Sequence, residues 1–347
     1  MNLPHSLKVL GFVLALFSAG SLSANPIKIC ASTPDVASLI KLIGGNQVEV
    51  FSFTKGLEDP HDVELRNAFV RKANQADALF VNGLDIEHGW IGALKRRSNN
   101  PHVFEGGDRY FDLSQGVLAI EEGEEHHEDE EEEEEKGVHE EGNPHYLLDP
   151  VEGLRSAGVI RDSLTVIRPD YSKFFVENHR LFVSKWLNLM MGETIAKNYD
   201  TSKLIDLREM GEIEQQLKSL KVENAQKLGG LYKLTSTWKD LPIVADHDQW
   251  PYFTRRFGLQ VAGYIEGHPG VSPSPRHLTN LIKEMKEKNV NIILKSSYFP
   301  SRTVAQVARA SGAKVVNIAH QVQGTIQAKD YFSLIEWNVN QIYRALE

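Results

Sequence analysis

Only one cysteine, Cys30, is present among 347 residues, so an internal disulfide and a thiolate-rich metal cluster are both excluded. The apolar run Val9 to Phe17 is too short to span a bilayer. There is no long Lys/Arg run, which argues against a strongly basic nucleic-acid-binding surface. No Gly-x-Gly-x-x-Gly or Walker motif follows a strand-like segment, which counts against nucleotide chemistry. What is present is an ordinary globular composition, 41% hydrophobic and 24% charged, and it excludes a wholly disordered, collagen-like or multi-span membrane chain. The charge of −9 is concentrated: residues Glu121 to Glu141 hold fourteen acidic side chains and a single basic one, Lys136, a local balance of −13 that leaves +4 for the remainder.

The N-terminus has the pattern of a cleavable export signal. Lys8 supplies the positive charge, Val9 to Phe17 the apolar region, and Ser18 to Ala24 the small residues of a cleavage site. Cleavage is expected after Ala24 or, alternatively, Ser23. Cys30 follows Lys28 and Ile29 several residues beyond that point, a poor setting for lipid attachment, so a lipoprotein is not expected.

From Ile27 onward, short apolar runs alternate with helix-period segments, the pattern of parallel βα units. Strands are expected at Ile27–Ala31, Val48–Phe53 and Ala78–Asn82, with helices from Thr33 or Asp35 to Gly44, at Val63–Ala73 and at Gly89–Lys95. Val151–Ile167 and Tyr171 to about Lys197 have helical spacing, and the second could join two lobes. The alternation then repeats: strands at Pro242–Ala245, Gln260–Ile265, Val290–Lys295 and Ala313–Ile318, helices beginning at Pro251, Pro275, Ser301 and Asp330. The expected fold class is α/β, with two lobes, each a parallel sheet covered by helices. The division is a leader at 1–24, an N-terminal lobe at 25–167, a connecting helix at 168–197 and a C-terminal lobe at 198–347. The acidic, histidine-containing segment at 120–142 is expected to be a disordered loop, because charge repulsion opposes compaction and it has almost nothing apolar to bury.

Three histidines stand out by position. His61 lies in Asp59-Pro60-His61-Asp62 after the second strand, His145 in Asn143-Pro144-His145 after the acidic segment, and His247 in Asp246-His247-Asp248 after the first strand of the second half. Ligands of open α/β sheets bind beyond the carboxyl ends of strands, so all three can face one cleft. Neutral imidazoles suit Zn²⁺ and related transition metals. Asp62, Asp246 and Asp248 are placed to orient the rings by accepting their second N–H. Each histidine taken alone also fits a solvated loop side chain, and no His-x-x-x-His pair fixes two ligands on one helix. His102, His179 and His277 fit surface or packing roles, and His268 has only a slight claim. The acidic segment adds His126, His127 and His139, whose imidazoles among carboxylates can hold cations weakly.

With these segments in order, together with Leu148-Asp149-Pro150, Arg255-Arg256-Phe257-Gly258-Leu259, Gly263-Tyr264-Ile265-Glu266 and Ser272-Pro273-Ser274-Pro275, the chain resembles the periplasmic zinc- and manganese-binding proteins of ABC-type metal importers. The resemblance covers nearly all of the mature chain. It implies a periplasmic receptor, monomeric and without enzymatic activity, that binds Zn²⁺ between its lobes and passes it to an inner-membrane permease. It implies that His61, His145 and His247 are the ligands, and three imidazoles look more like the zinc than the manganese branch. Many relatives supply a fourth ligand, an aspartate near the C-terminus, where this chain has Ala319-His320. Water, His320 or a carboxylate of the acidic segment are the remaining choices. The rivals are a manganese or other divalent-metal receptor and, in a different class, a mononuclear zinc hydrolase, for which no His-Glu-x-x-His motif or nucleophile elbow is found. An adhesive scaffold is a third reading.

Overall fold

The alternating pattern closes into two four-stranded sheets, each entirely parallel. The computed structural model describes residues 25–120, 142–266 and 272–347. The leader, the acidic segment with His126, His127 and His139, and His268 lie outside them. The N-terminal half contains β1 (Ile27–Ala31), α1 (Pro34–Gly44), β2 (Val48–Ser52), α2 (Asn67–Asn74), β3 (Ala78–Val81), α3 (His88–Ser98), β4 (Tyr110–Asp112) and α4 (Pro150–Ile167). Its strand order is β2-β1-β3-β4. After α5 (Ser172–Met191) come α6 (Glu193–Asn198), α7 (Ser202–Ile205), α8 (Met210–Glu223) and α9 (Gly230–Leu234). The second sheet is built from β5 (Leu241–Ala245), α10 (Pro251–Phe257), β6 (Leu259–Tyr264), α11 (Pro275–Glu287), β7 (Ile292–Lys295), α12 (Ser301–Ser311), β8 (Lys314–Asn317) and α13 (Tyr331–Leu346), in the order β6-β5-β7-β8. Helices cover both faces of such sheets, which is why β3 and β7 are buried at every position.

The helix starts follow capping chemistry. Thr33 Oγ1, rather than Asp35, accepts the Val36 N–H that opens α1. Asp149 caps α4 ahead of Pro150, Ser274 caps α11 ahead of Pro275, and Asp330 and Ser333 form a reciprocal pair at α13. Two sequence expectations are corrected, and one element is added. The helix read from Val63 starts at Asn67, because Val63 and Leu65 pack against the N-terminal lobe's outer core as non-helical chain. The three-residue β4 was not foreseen. The long connecting helix is two helices: Gly192, at φ 92°, separates α5 from α6, and an added Cβ there would stand 2.9 Å from the Gly229 Cα.

One apolar cluster runs through both lobes, from Ile29 and Leu39 through Leu154, Trp186 and Leu187 to Ile243, Phe253 and Leu294. The last helix returns to the first lobe: the Tyr331 N–H donates to Ser38 Oγ at 2.9 Å, and the Tyr331 hydroxyl donates to the Leu147 carbonyl at 2.7 Å. A shared core of this kind resists wide opening of the halves. Among the described residues no helix is long and apolar enough to cross a membrane.

Candidate metal centre

The carboxyl ends of the two sheets face a common crevice, and the three sequence-selected histidines lie on the loops that leave them. His61 and His145 share a local construction. In Asp59-Pro60-His61, Asp59 Oδ1 accepts the His61 backbone N–H at 2.9 Å; in Asn143-Pro144-His145, Asn143 Oδ1 accepts the His145 N–H at 3.1 Å. Each is a side-chain-closed turn in which proline removes a competing donor and restricts φ. These two Asx-Pro-His turns, 84 residues apart, bring the imidazoles together with Nε2 facing Nε2 at 3.4 Å. Two nitrogens on one tetrahedral zinc ion at 2.0–2.1 Å would be separated by about 3.3 Å.

His247 approaches from the other lobe, its ring edge-on to His145 with centroids 6.4 Å apart. It is buried, and its Nδ1 has no hydrogen-bond partner. Asp246 anchors its loop. That carboxylate accepts the backbone N–H groups of His247 at 2.9 Å and Ser296 at 2.6 Å, and the Trp250 indole N–H at 3.0 Å. The expectation that Asp246 orients an imidazole is therefore corrected: its lone pairs are taken by backbone, hydroxyl, amide and indole donors. Asp248 accepts from the Tyr264 hydroxyl at 2.7 Å, and Asp62 is exposed. The ring partner of His145 is Asn143, whose Oδ1 lies 3.1 Å from Nδ1.

His61 and His145 form a close pair, with His247 set back. As the side chains stand, no three His, Cys, Asp or Glu residues among those described are gathered closely enough to hold one metal ion. The Asp59 carboxyl also stands at this point. Burial pushes its carboxyl above the usual range, while the His61 N–H and the neighbouring His247 pull in the opposite direction. His320 lines the same crevice as His145: its Nε2 lies 3.3 Å from the Glu58 carbonyl, its ring is edge-on to Tyr298, and its buried Nδ1 has no hydrogen-bond partner. Burial pushes it down to about 4, so it is neutral at neutral pH. Beside it, Gln321 Nε2 donates to the carbonyls of Lys55 and Glu58 at 2.9 and 2.8 Å. The segment following β8 thus supports the loop that carries His61.

Asn143, Asp59 and Gln321 acquire roles here that sequence reading did not assign. The first two were legible, since a short polar residue two places before a backbone N–H is an Asx-turn signal. Gln321 had no local signal, because its partners are more than 260 residues away. Among the other histidines, His179 is a core residue on α5, pushed down to about 3 by burial. His102 is exposed beside Asp108, and His277 on α11 faces the Tyr264 carbonyl.

A family model described as ZnuA, zinc-uptake complex component A periplasmic, matches residues 29–205 and 186–345. The manganese ABC transporter substrate-binding lipoprotein PsaA of Streptococcus pneumoniae is 22% identical over 330 residues, covering 93% of this chain and 90% of that protein. The metal ABC transporter substrate-binding lipoprotein SloC of Streptococcus mutans is 23% identical, with coverage of 96% and 95%. A crystal structure of ZnuA superposes with a TM-score of 0.65 at 21% identity, covering 93% of this chain and all of that one. The laminin-binding protein Lmb of Streptococcus agalactiae, described as having adhesin and metal-transporting activity, superposes with a TM-score of 0.64 at 17% identity, with coverage of 92% and 100%. These relatives are solute-binding proteins of importers rather than enzymes, which removes the hydrolase reading. The chain belongs to the zinc-uptake complex component A family and is an extracytoplasmic metal-binding receptor of an ABC importer.

Proposed function

We propose that this receptor captures Zn²⁺ in the crevice between its lobes and delivers it to the permease, with His61, His145 and His247 as its ligands. The observation that carries the proposal is the 3.4 Å approach of the His61 and His145 Nε2 atoms, which matches two nitrogens on one tetrahedral ion. These two would take the ion first, and a small inward movement of the His247 loop would complete the set. Three imidazoles favour zinc-like ions over hard ones, which prefer oxygen donors. His320 can act as a fourth ligand through its unpartnered Nδ1 while its Nε2 keeps the Glu58 carbonyl; otherwise the fourth position falls to water or to a carboxylate. His126, His127 and His139 would serve at most as weak auxiliary collectors.

A manganese receptor is the second reading, favoured by the names of the curated relatives and by the Asp59 carboxyl beside His247. Competitive titration of the mature protein with both metals decides between them. Zinc is expected to bind at least tenfold more tightly, and tighter manganese binding would reverse the assignment. Replacing His61, His145 and His247 together by Ala should abolish high-affinity binding, with each single change costing on the order of a hundredfold. Retention of high affinity by the triple variant would refute the site.

We place the mature receptor in the periplasm as a monomer. The expectation that it is not a lipoprotein is corrected, because the curated relatives above are named lipoproteins.

A further inference from the structure

Asn143 contacts both sides of the crevice through a single buried amide. Its Oδ1 accepts the His145 backbone N–H and faces the His145 ring Nδ1, both at 3.1 Å. Its Nδ2 donates to the backbone carbonyl of Asp248, the residue after His247, at 2.8 Å. Its own carbonyl accepts the Tyr252 hydroxyl at 2.9 Å, and its N–H donates to the Ile120 carbonyl at 2.9 Å. The orientation of the amide follows from its partners. A backbone N–H can only donate and a carbonyl can only accept, so turning the group over would set donor against donor and acceptor against acceptor. With Oδ1 fixed as an acceptor, the His145 Nδ1 must carry the hydrogen, which leaves the lone pair on Nε2, the atom facing His61.

We propose that Asn143 is a positioning residue that acts on both halves of the site: it holds His145 in the tautomer whose Nε2 can bind a metal, and it ties that ring to the loop carrying His247. This rests on the assignment of His145 and His247 as ligands. The two functions separate chemically. In Asn143→Asp, one carboxylate oxygen still accepts from His145, while the other faces the Asp248 carbonyl with no hydrogen to donate. In Asn143→Ala both links are lost.

The test is long-range ¹H–¹⁵N NMR of metal-free, histidine-labelled full mature chain above pH 7.5, combined with zinc competition titration. Wild type and Asn143→Asp should show His145 protonated at Nδ1. Asn143→Ala should revert towards the Nε2-protonated form that free histidine prefers, with zinc affinity reduced about 10–100-fold. Asn143→Asp should keep the tautomer yet bind zinc several-fold more weakly than wild type. A wild-type His145 protonated at Nε2, or an Nδ1-protonated ring persisting in Asn143→Ala, would overturn the hold on the ring. Wild-type affinity in Asn143→Asp would overturn the tie to the second lobe. Because the wild-type tautomer is read without metal and without substitution, it decides the first function even if Asn143→Ala does not fold or zinc proves to bind elsewhere.

Discussion

Asp35 shows how little a single residue's role can be read from its neighbours in sequence. It was a candidate cap for α1, but Thr33 performs that function, and Asp35 is instead buried with Oδ1 accepting the Val322 N–H at 2.8 Å from the second lobe. Burial pushes its carboxyl from 3.8 up to about 7, with the Val322 N–H opposing the shift. Glu87, which accepts the Asn82 and Gly83 N–H groups, is likewise pushed up to about 7 by burial. A carboxyl raised in the folded state keeps a proton that the unfolded chain releases. Its contribution is therefore fully present below the unfolded value and declines as pH rises towards 7. Asn in place of Asp35 can still accept from Val322 but carries no charge to desolvate. Asp35→Asn should thus raise the melting temperature of the metal-free protein more at pH 8 than at pH 5; equal shifts at both would count against a buried, protonated Asp35. His61 and His145 were identifiable from Asx-Pro-His, because that turn is local chemistry. The direction of His320 was not, because a carbonyl more than 260 residues distant determines it.

At the level of elements, most boundaries were legible wherever a cap or an apolar period marked them, as at α4, α10, α11 and α13. They were obscure where packing overrode propensity. Tyr171 to Lys197 reads as one helix, yet the chain breaks at Gly192 because the Gly229 backbone passes too close for a side chain. Gly192→Ala should destabilise by about 1–3 kcal/mol, read from denaturant midpoints. An unchanged midpoint would mean that the break is not required. A second element-level link lies directly beneath the site. Arg256 on α10 makes a two-pronged contact with the Asp149 carboxylate at 2.7 and 2.8 Å. Asp149 also caps α4, four residues after His145, so this pair joins the elements that follow two of the proposed ligands. Removing one partner of a largely buried pair leaves the other uncompensated, and Arg256→Ala should cost about 3–5 kcal/mol. A loss below about 1 kcal/mol would show that water and the Val151 N–H, which donates to Asp149 at 2.8 Å, satisfy the carboxylate without Arg256.

For the whole molecule, the contact between lobes is tight where the loop bearing His61 meets the segment after β8. An added Cβ on Gly56 would stand 2.0 Å from the Gln323 backbone carbon. Gly56→Ala should therefore push the two segments apart and lower both melting temperature and zinc affinity, whereas wild-type values for both would show slack at this junction. The acidic segment can be removed at its base: Asn143 N–H donates to the Ile120 carbonyl at 2.9 Å, and the Tyr252 hydroxyl accepts the Ile120 N–H at 3.0 Å. Deleting 121–141 should leave the fold intact, and comparing zinc loading rate with affinity would separate a collector from a ligand source. The sequence by itself determined the βα alternation, the two sheets, the charge concentrated in one segment, and the choice of three histidines, because periodicity, turn chemistry and composition act over a few residues. Only the tertiary structure decided that one core spans both lobes, that the Asn143 amide reaches the Asp248 carbonyl of the second lobe, that His320 faces a carbonyl, and that His247 stands apart from the His61–His145 pair. Those outcomes depend on contacts between residues a hundred or more positions apart, to which local pattern is blind.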